Sequence, residues 1–193
     1  MKQLLEDVAG RAGRYLEELG TRRVFPDADA VAGLDEFEGA MPEGPQAPED
    51  VIELLDRVGS PATVASAGGR YFGFVTGSAL PATVAANWLA GAWDQSAAFG
   101  VSSPVAVKLE RVATRWVAEL LGLPEGSRGA CVTGTTMANV TALAAARHAI
   151  LTRAGWDVEG QGLFGAPPIT VIVGDEAHSS LYRALGLLGL GRD

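Results

Sequence analysis

The sequence predicts an α/β fold, with a helical segment at residues 1–65 ahead of the first part of a larger domain at residues 66–193. Two observations favour this. Two short apolar runs, Ala130–Val132 and Ile169–Val173, are typical of buried parallel strands, and each precedes a turn and a helical pattern. Before residue 66 the regular periodicity is helical only.

The composition of the chain limits its class and partners. Its 193 residues give room for about one domain, and a net charge of −8 argues against a nucleic-acid partner. No apolar run approaches the roughly 20 residues of a membrane span, and the charged first 19 residues lack the apolar core of a signal peptide. The single cysteine, Cys131, is expected to be a small core residue. These features predict a cytoplasmic protein.

The N-terminal segment contains two predicted helices and a linker. The first helix covers Lys2–Leu19 and has a wide apolar side, which either the rest of the chain or a second subunit must cover. Residues Thr21–Pro48 are rich in proline and glycine and are predicted to be an extended linker. The second helix covers Glu49–Val58, with acidic residues in its first turn.

A glycine-rich aromatic stretch, Ser66–Leu80, opens the larger domain. Glycines flank Tyr71, Phe72 and Phe74, which predicts a tight loop that approaches a ligand or a neighbouring backbone. A loop whose aromatic rings fill the core would give the same pattern.

Two further helices are predicted before the first strand. One covers Pro81–Trp93. The other has Ser103 as its N-cap and Pro104 in its first turn, and it ends near Leu121. Lys108 falls on the charged side of this helix, where a solvated side chain is expected.

The turn Thr133–Thr136 is the central feature of the chain. It joins the first strand to a helix predicted over Met137–Arg147, so the free N–H groups of the first helical turn point into it. Gly134 lets the backbone approach a ligand, and the hydroxyls of Thr135 and Thr136 can donate to phosphate oxygens. The turn therefore predicts an anion site, although an ordinary turn with threonine as N-cap fits the same residues.

A histidine, His178, follows the second strand directly, before a helix predicted from Leu181. Because ligands gather at the carboxyl ends of parallel strands, the two loops are expected to face one site. Only two strands precede Asp193, and two strands do not form a sheet that is covered on both faces. The sequence is therefore expected to be the N-terminal portion of a longer protein.

In their order and spacing, several motifs from about Ser66 onward resemble the group II pyridoxal-phosphate (PLP) decarboxylases, which act on aromatic amino acids, glutamate and related substrates. Each motif is weak alone, and their ordered set is specific. The motifs are Phe72-Gly73-Phe74, Ser102-Ser103-Pro104 with Leu109-Glu110, Leu120–Pro124, Thr133–Thr136 with Ala138-Asn139 and Ala145–Arg147, and Glu176–Ser180.

The resemblance implies the start of a fold type I large domain and roles for six residues. Thr135 and Thr136, beside Gly134, would hold the cofactor phosphate. His178 would stack on the pyridine ring and assist proton movement. The remaining two, on the substrate side, are Phe72 and Phe74. The first 60 residues would pack against the other subunit of a homodimer, and no metal is implied.

The chain departs from the family pattern in its lysines. The family attaches the cofactor to a lysine in a His-Lys pair, beyond the segment that matches His178. Here the lysines are Lys2 and Lys108, and neither histidine precedes one. Asp175 matches a position upstream of the histidine, so it is not the carboxylate that pairs with the pyridine nitrogen. Met137 stands where a glutamate is common. As written, the chain is not expected to decarboxylate an amino acid.

The resulting interpretation is the N-terminal part of a PLP-dependent decarboxylase that converts an amino acid to an amine and CO₂. Two alternatives remain open. One is an aminotransferase or another lyase that uses the same cofactor and fold. The other is a short non-catalytic protein that pairs with a full-length homologue. The residues present do not identify the amino acid.

Overall fold

The computed structural model describes residues 1–192 and divides the chain into two compact units, Met1–Asp94 and a second that starts at Gln95. Every regular element of the described residues is a helix or a helical turn. The α-helices are α1 (Lys2–Glu18), α2 (Ala28–Ala32), α3 (Pro48–Leu54), α4 (Pro81–Trp93), α5 (Pro104–Leu120), α6 (Thr135–Arg153), α7 (Val158–Gln161) and α8 (Ser179–Leu187). Two 3₁₀ turns cover Gly33–Glu38 and Ser60–Ala62, and a π turn covers Leu55–Gly59.

Helix α1 confirms the predicted first helix and is held within its unit by polar contacts. The Arg11 guanidinium donates to Asp7 Oδ2 at 2.7 Å and to Asp56 Oδ2 at 3.0 Å. These two hydrogen bonds raise the pKa of Arg11 above its ordinary value. The hydroxyl groups of Tyr15 and Thr63 form a hydrogen bond of 2.9 Å. No side chain of α1 is fully buried, so its apolar side is only partly covered within this unit.

The predicted linker over Thr21–Pro48 is wrong in part, because it contains α2 and the 3₁₀ turn at Gly33–Glu38. The cause is local. The Asp27 carboxylate accepts a hydrogen bond from the N–H of Ala30 at 2.9 Å and so caps a five-residue helix, which is too short to show periodicity. The second predicted helix begins at Pro48, and its last turn, Leu55–Gly59, is a π turn.

The aromatic loop at residues 66–80 contains no helix or strand, as predicted. Phe72 and Phe74 are each 93% exposed, so the alternative in which these rings fill the core is wrong. Tyr71 instead packs near Phe25, with the ring centroids 6.3 Å apart. The backbone of Phe74 has a φ of 51°, in the left-handed region. Helix α4 follows with the predicted bounds.

Helix α5 opens the regular structure of the second unit in the predicted way. The Ser103 side chain is completely buried and accepts a hydrogen bond from the N–H of Ala106 at 3.3 Å. Beyond the end of the helix, Gly122 has a φ of 63°, which glycine adopts without strain. Lys108 is exposed on α5, as expected.

Helices α6 and α8 pack side by side in the same direction. Near their starts, Asn139 Nδ2 donates to Ser180 Oγ at 3.0 Å. Eight residues further along each helix, Arg147 Nη1 donates to the carbonyl of Leu188 at 2.9 Å. The equal spacing of these two contacts shows that the helices run parallel. The apolar residues that they bury are Leu151, Ala184, Leu185 and Leu188.

The two predicted strands, Ala130–Val132 and Ile169–Val173, are not strands among residues 1–192. A strand needs a backbone partner, and no backbone hydrogen bond joins either run to another segment of the described chain. Ile172 is 92% exposed. Cys131 is exposed as well, so its assignment to the core is wrong; its N–H donates to Glu110 Oε1 at 2.8 Å.

No helix within residues 1–192 combines the length and apolar character that crossing a membrane requires. The division of the chain at residue 65 stays a prediction.

The buried contact between α6 and α8 predicts a large effect of one side chain. Leu151 is fully buried, so Leu151→Ala should lower the free energy of unfolding by about 2–5 kcal/mol through lost burial and a residual cavity. Its neighbour Ile150 is 47% exposed, and Ile150→Ala should cost less than half as much. Urea unfolding of each variant, followed by far-UV circular dichroism, measures both effects. Equal losses would contradict this description of the core.

An ion pair in the first unit predicts a pH dependence. Arg57 hydrogen-bonds the Glu36 carboxylate, with one N–H···O distance of 3.0 Å, and thereby lowers the pKa of Glu36 below 4.5. A lowered folded-state pKa stabilises the protein above the unfolded-state pKa, and the effect is lost as the pH falls through the folded value.

The urea midpoint of Glu36→Gln should therefore lie slightly below that of the parent chain at neutral pH, and the two should converge in acid, once the pH falls below the lowered folded-state pKa of Glu36. Both partners are exposed, so the difference should be small. Glu38→Gln is the matched control, since Glu38 forms no ion pair in the described chain. A difference that persists in acid would show that Glu36 acts by packing.

Candidate functional site

The start of α6 has free hydrogen-bond donors. The helix begins at Thr135, two residues before the predicted start, with Gly134 as its N-cap. Glycine offers no capping side chain, and among residues 1–192 no acceptor contacts the N–H groups of Thr135, Thr136 or Met137. The hydroxyls of both threonines also make no hydrogen bond within the described chain. Five donors are therefore available at this helix end.

The other helices of the second unit begin differently. Within the described part of the chain, α5, α7 and α8 each have a side chain that accepts a hydrogen bond from their first turn, supplied by Ser103, Asp157 and His178. Only α6 lacks such a cap there. Its first turn also contains no acidic residue that would repel an anion at the positive end of the helix dipole. This combination fits a phosphate group.

The space beside Gly134 is open. A Cβ atom built on this residue meets no heavy atom within 4 Å. Its backbone is extended, with φ 169° and ψ 176°, so the conformation itself does not require glycine. The lack of a side chain therefore leaves room for a ligand, rather than relieving strain in the chain.

His178 is the N-cap of α8, which begins at Ser179 and not at the predicted Leu181. Its Nδ1 atom accepts from the N–H of Ser180 at 3.2 Å and lies 2.8 Å from the Ser180 hydroxyl. The imidazole ring is exposed apart from this contact. The orientation of the ring is therefore set by its own helix.

The hydrogen bond from Asn139 to Ser180 places the two helix starts at the same end of the pair. Asn139 lies one turn beyond Thr135 on the same side of α6, and this side faces α8. The uncapped turn and His178 are thus brought to one end of the α6–α8 pair. Asn139 and Ser180 were not predicted as site residues. Both lie within the motifs quoted above, but their pairing across 41 residues leaves no local signal.

The predicted site residues divide between the two units. Gly134, Thr135, Thr136 and His178 lie in the second unit, whereas the two phenylalanines, Phe72 and Phe74, lie exposed in the first. Their assignment to the substrate side stays a prediction. Within residues 1–192 no three His, Cys, Asp or Glu side chains are grouped so that they could hold a metal ion.

Comparison with known proteins identifies the class. Residues 34–191 match the model of the pyridoxal-dependent decarboxylase conserved domain, so the chain belongs to the pyridoxal-dependent decarboxylase family. The cofactor of this family is pyridoxal 5′-phosphate, and the uncapped start of α6 is suited to its phosphate group.

Particular relatives agree with this class. The chain is 30% identical to tryptophan decarboxylase 1 of Oryza sativa subsp. japonica over 188 residues, which cover 91% of this chain and 35% of that protein. The fold is similar to that of mouse CSAD, with a TM-score of 0.84, 21% identity, and 99% of this chain and 39% of that chain covered. It is also similar to Oryza sativa TDC with PLP and tryptamine, with a TM-score of 0.81, 23% identity, and 97% and 39% covered. The chain thus spans little more than a third of these relatives.

Proposed function

We propose that this chain is the part of a PLP-dependent amino-acid decarboxylase that binds the cofactor phosphate and lies against its pyridine ring. The observation that carries the proposal is the juxtaposition at one end of the α6–α8 pair. There an uncapped helix start with two free threonine hydroxyls accompanies an exposed histidine whose orientation is fixed. The membership in the family supports the same assignment.

In this proposal different residues of the chain bind the phosphate group and the pyridine ring of the cofactor. The N–H groups of the first turn of α6 and the hydroxyls of Thr135 and Thr136 donate to the phosphate oxygens, and Gly134 leaves them accessible. His178, whose ring is oriented by the N–H of Ser180, would lie against the pyridine ring. When bound, the cofactor withdraws electrons from the bond to the departing carboxylate of the substrate. The complete fold would be the α/β large domain of fold type I, in which the two extended apolar runs pair as strands.

The lysine that attaches the cofactor and the carboxylate that pairs with the pyridine nitrogen are proposed to lie outside these 193 residues. Lys2 and Lys108 are both exposed, on α1 and α5. The substrate is proposed to be an amino acid, with aromatic ones to be tested first. Relatives named as tryptophan and aromatic-L-amino-acid decarboxylases support this choice, as do the exposed rings of Phe72 and Phe74.

We also propose that the active form is a cytoplasmic homodimer that uses the apolar side of α1. No residue of α1 is buried within the chain, and Leu5 is 50% exposed. Covering such a surface with a second subunit would remove it from water. The single cysteine agrees with a reducing compartment, since it cannot form a disulfide within the chain.

The reaction can be tested on the protein expressed together with whatever residues follow Asp193 in its reading frame. With PLP and a panel of aromatic and acidic amino acids, we expect equimolar amine and CO₂, measured by chromatography and by trapped carbonate. A keto acid in place of CO₂ would show an aminotransferase and overturn the decarboxylase assignment.

The phosphate site can be tested on the 193-residue chain itself by equilibrium dialysis with PLP. The double variant Thr135→Ala/Thr136→Ala should bind PLP at least about tenfold more weakly, because hydrogen bonds to a charged group are lost. Gly134→Ala should also weaken binding but leave the urea midpoint nearly unchanged, since its Cβ meets no protein atom.

Thr141→Ala is the matched control for both variants. Thr141 lies in α6, but its hydroxyl donates to the carbonyl of Met137 at 2.8 Å and is not free. Its replacement should leave the affinity for PLP unchanged. If all of these variants bind PLP as tightly as the parent chain, the phosphate is held elsewhere.

A further inference from the structure

We infer that Asn139 and Ser180 are positioning residues that keep the proton of the His178 ring on Nε2. The hydrogen bonds that carry this inference belong to the chain without any ligand. The statement that the Nε2–H group meets a substrate or cofactor atom rests on the function proposed above. The inference concerns which of the two ring nitrogens is protonated, which determines whether the exposed edge of the ring donates or accepts a hydrogen bond.

The backbone of Ser180 determines the direction of the contact. Its N–H lies 3.2 Å from His178 Nδ1, and a backbone N–H is a donor only. This contact therefore favours a lone pair on Nδ1. A neutral imidazole has one N–H, so the proton is on Nε2.

The hydrogen bonds of the Ser180 side chain also favour a proton on Nε2 of His178. Its Oγ accepts from Asn139 Nδ2 at 3.0 Å, which leaves the hydroxyl proton to donate to His178 Nδ1 at 2.8 Å. Ser180 is 3% exposed, so water competes little for its hydroxyl. The Asn139 side-chain amide thus donates to the Ser180 hydroxyl, which in turn donates to the His178 imidazole. Asn139 is the first donor, so its amide favours a serine hydroxyl that donates to Nδ1 and adds to the effect of the Ser180 backbone N–H.

The other histidine has the opposite arrangement. His148 Nδ1 lies 2.7 Å from Glu159 Oε2, and an ionised carboxylate only accepts. Nδ1 of His148 therefore donates, so its neutral ring carries the proton on Nδ1. The chain thus contains an internal reference for both forms of imidazole.

The consequence concerns what can lie against His178. Within residues 1–192 its Nε2 atom has no protein partner, and the ring is exposed. An Nε2–H group binds an acceptor, so the group that meets this edge in the proposed site would be an acceptor atom, such as an oxygen of substrate or cofactor. If the direction of donation through Ser180 were reversed, the same edge would present a lone pair and repel that oxygen.

Replacing Asn139 by aspartate tests the direction of donation through Ser180 with almost no change of shape. At a pH of about 8 the aspartate is ionised and can only accept, so the Ser180 hydroxyl would turn towards it. Ser180 Oγ would then accept from His178, which favours a proton on Nδ1, while the backbone N–H of Ser180 still favours a lone pair there. We expect Nε2–H to be the major form in the parent chain and a measurably smaller fraction in Asn139→Asp.

The measurement is two-bond ¹H–¹⁵N correlation NMR of the ligand-free 193-residue chain labelled at histidine, which distinguishes the two neutral forms. His148→Gln assigns the signals. In the double variant Asn139→Asp/Ser180→Ala the serine hydroxyl is missing, so we expect the fraction of Nε2–H to rise again, because the backbone N–H of residue 180 is unopposed. An unchanged His178 in Asn139→Asp would overturn the inference. A change that persists in the double variant would also overturn it, because the aspartate would then act without Ser180.

If Asn139→Asp does not fold, as judged by circular dichroism, Ser180→Ala alone decides. Loss of the hydroxyl donor should move the Nδ1 resonance towards that of an unbonded ring nitrogen, while the His148 signals stay in place. An unmoved Nδ1 resonance would overturn the inference. None of these experiments contains PLP, so their outcome is independent of the dialysis test, whose failure would affect the proposed function alone.

Discussion

The hydrogen bond between Asn139 and Ser180 is the contact on which the arrangement of the candidate site depends. Apolar burial around Leu151 and Leu185 stabilises the α6–α8 pair, but burial is not directional and does not fix which residues lie opposite each other. Two polar contacts do so, because hydrogen bonds are lost when donor and acceptor move apart by about an ångström. The second is the bond from Arg147 to the Leu188 carbonyl. With both in place, the two helix starts lie at the same end.

This arrangement gives the two helix starts different chemistry. At α8 two donors of the first turn are used internally, since the N–H of Ser180 binds the His178 ring and the N–H of Leu181 binds the His178 carbonyl. At α6 they are left without an internal partner in the described chain, and the residue before the helix is a glycine with open space beside it. A side-chain cap at that position would add only about a few tenths of a kcal/mol to helix stability compared with glycine. Free donors at α6 therefore cost little stability and leave a place that an anion can occupy.

Sequence periodicity and capping residues predict three of the long helices well, because both act over a few neighbouring residues; the longest, α6, continues to Arg153, six residues beyond its predicted end. Helices α1, α4 and α5 lie within one or two residues of their predicted bounds. The five-residue α2 is too short for a periodic pattern, and the two apolar runs, which have strand composition, find no ladder partner in the described residues. The threonine turn and His178 are visible locally, whereas the pairing of Asn139 with Ser180 requires knowledge of how two helices pack. The roles of the six site residues remain predictions.

The packing also explains why part of the site can be studied in this chain. The unpaired runs leave Ile172 exposed beside the segment that leads to His178, as expected if the sheet of the family fold is not assembled. The uncapped helix start and His178 are nevertheless held in place, because their geometry depends on contacts between α6 and α8 and not on strand pairing. The orientation of His178 is thus a property of the helix pair. Evidence about that orientation can therefore be obtained without the cofactor or the reaction.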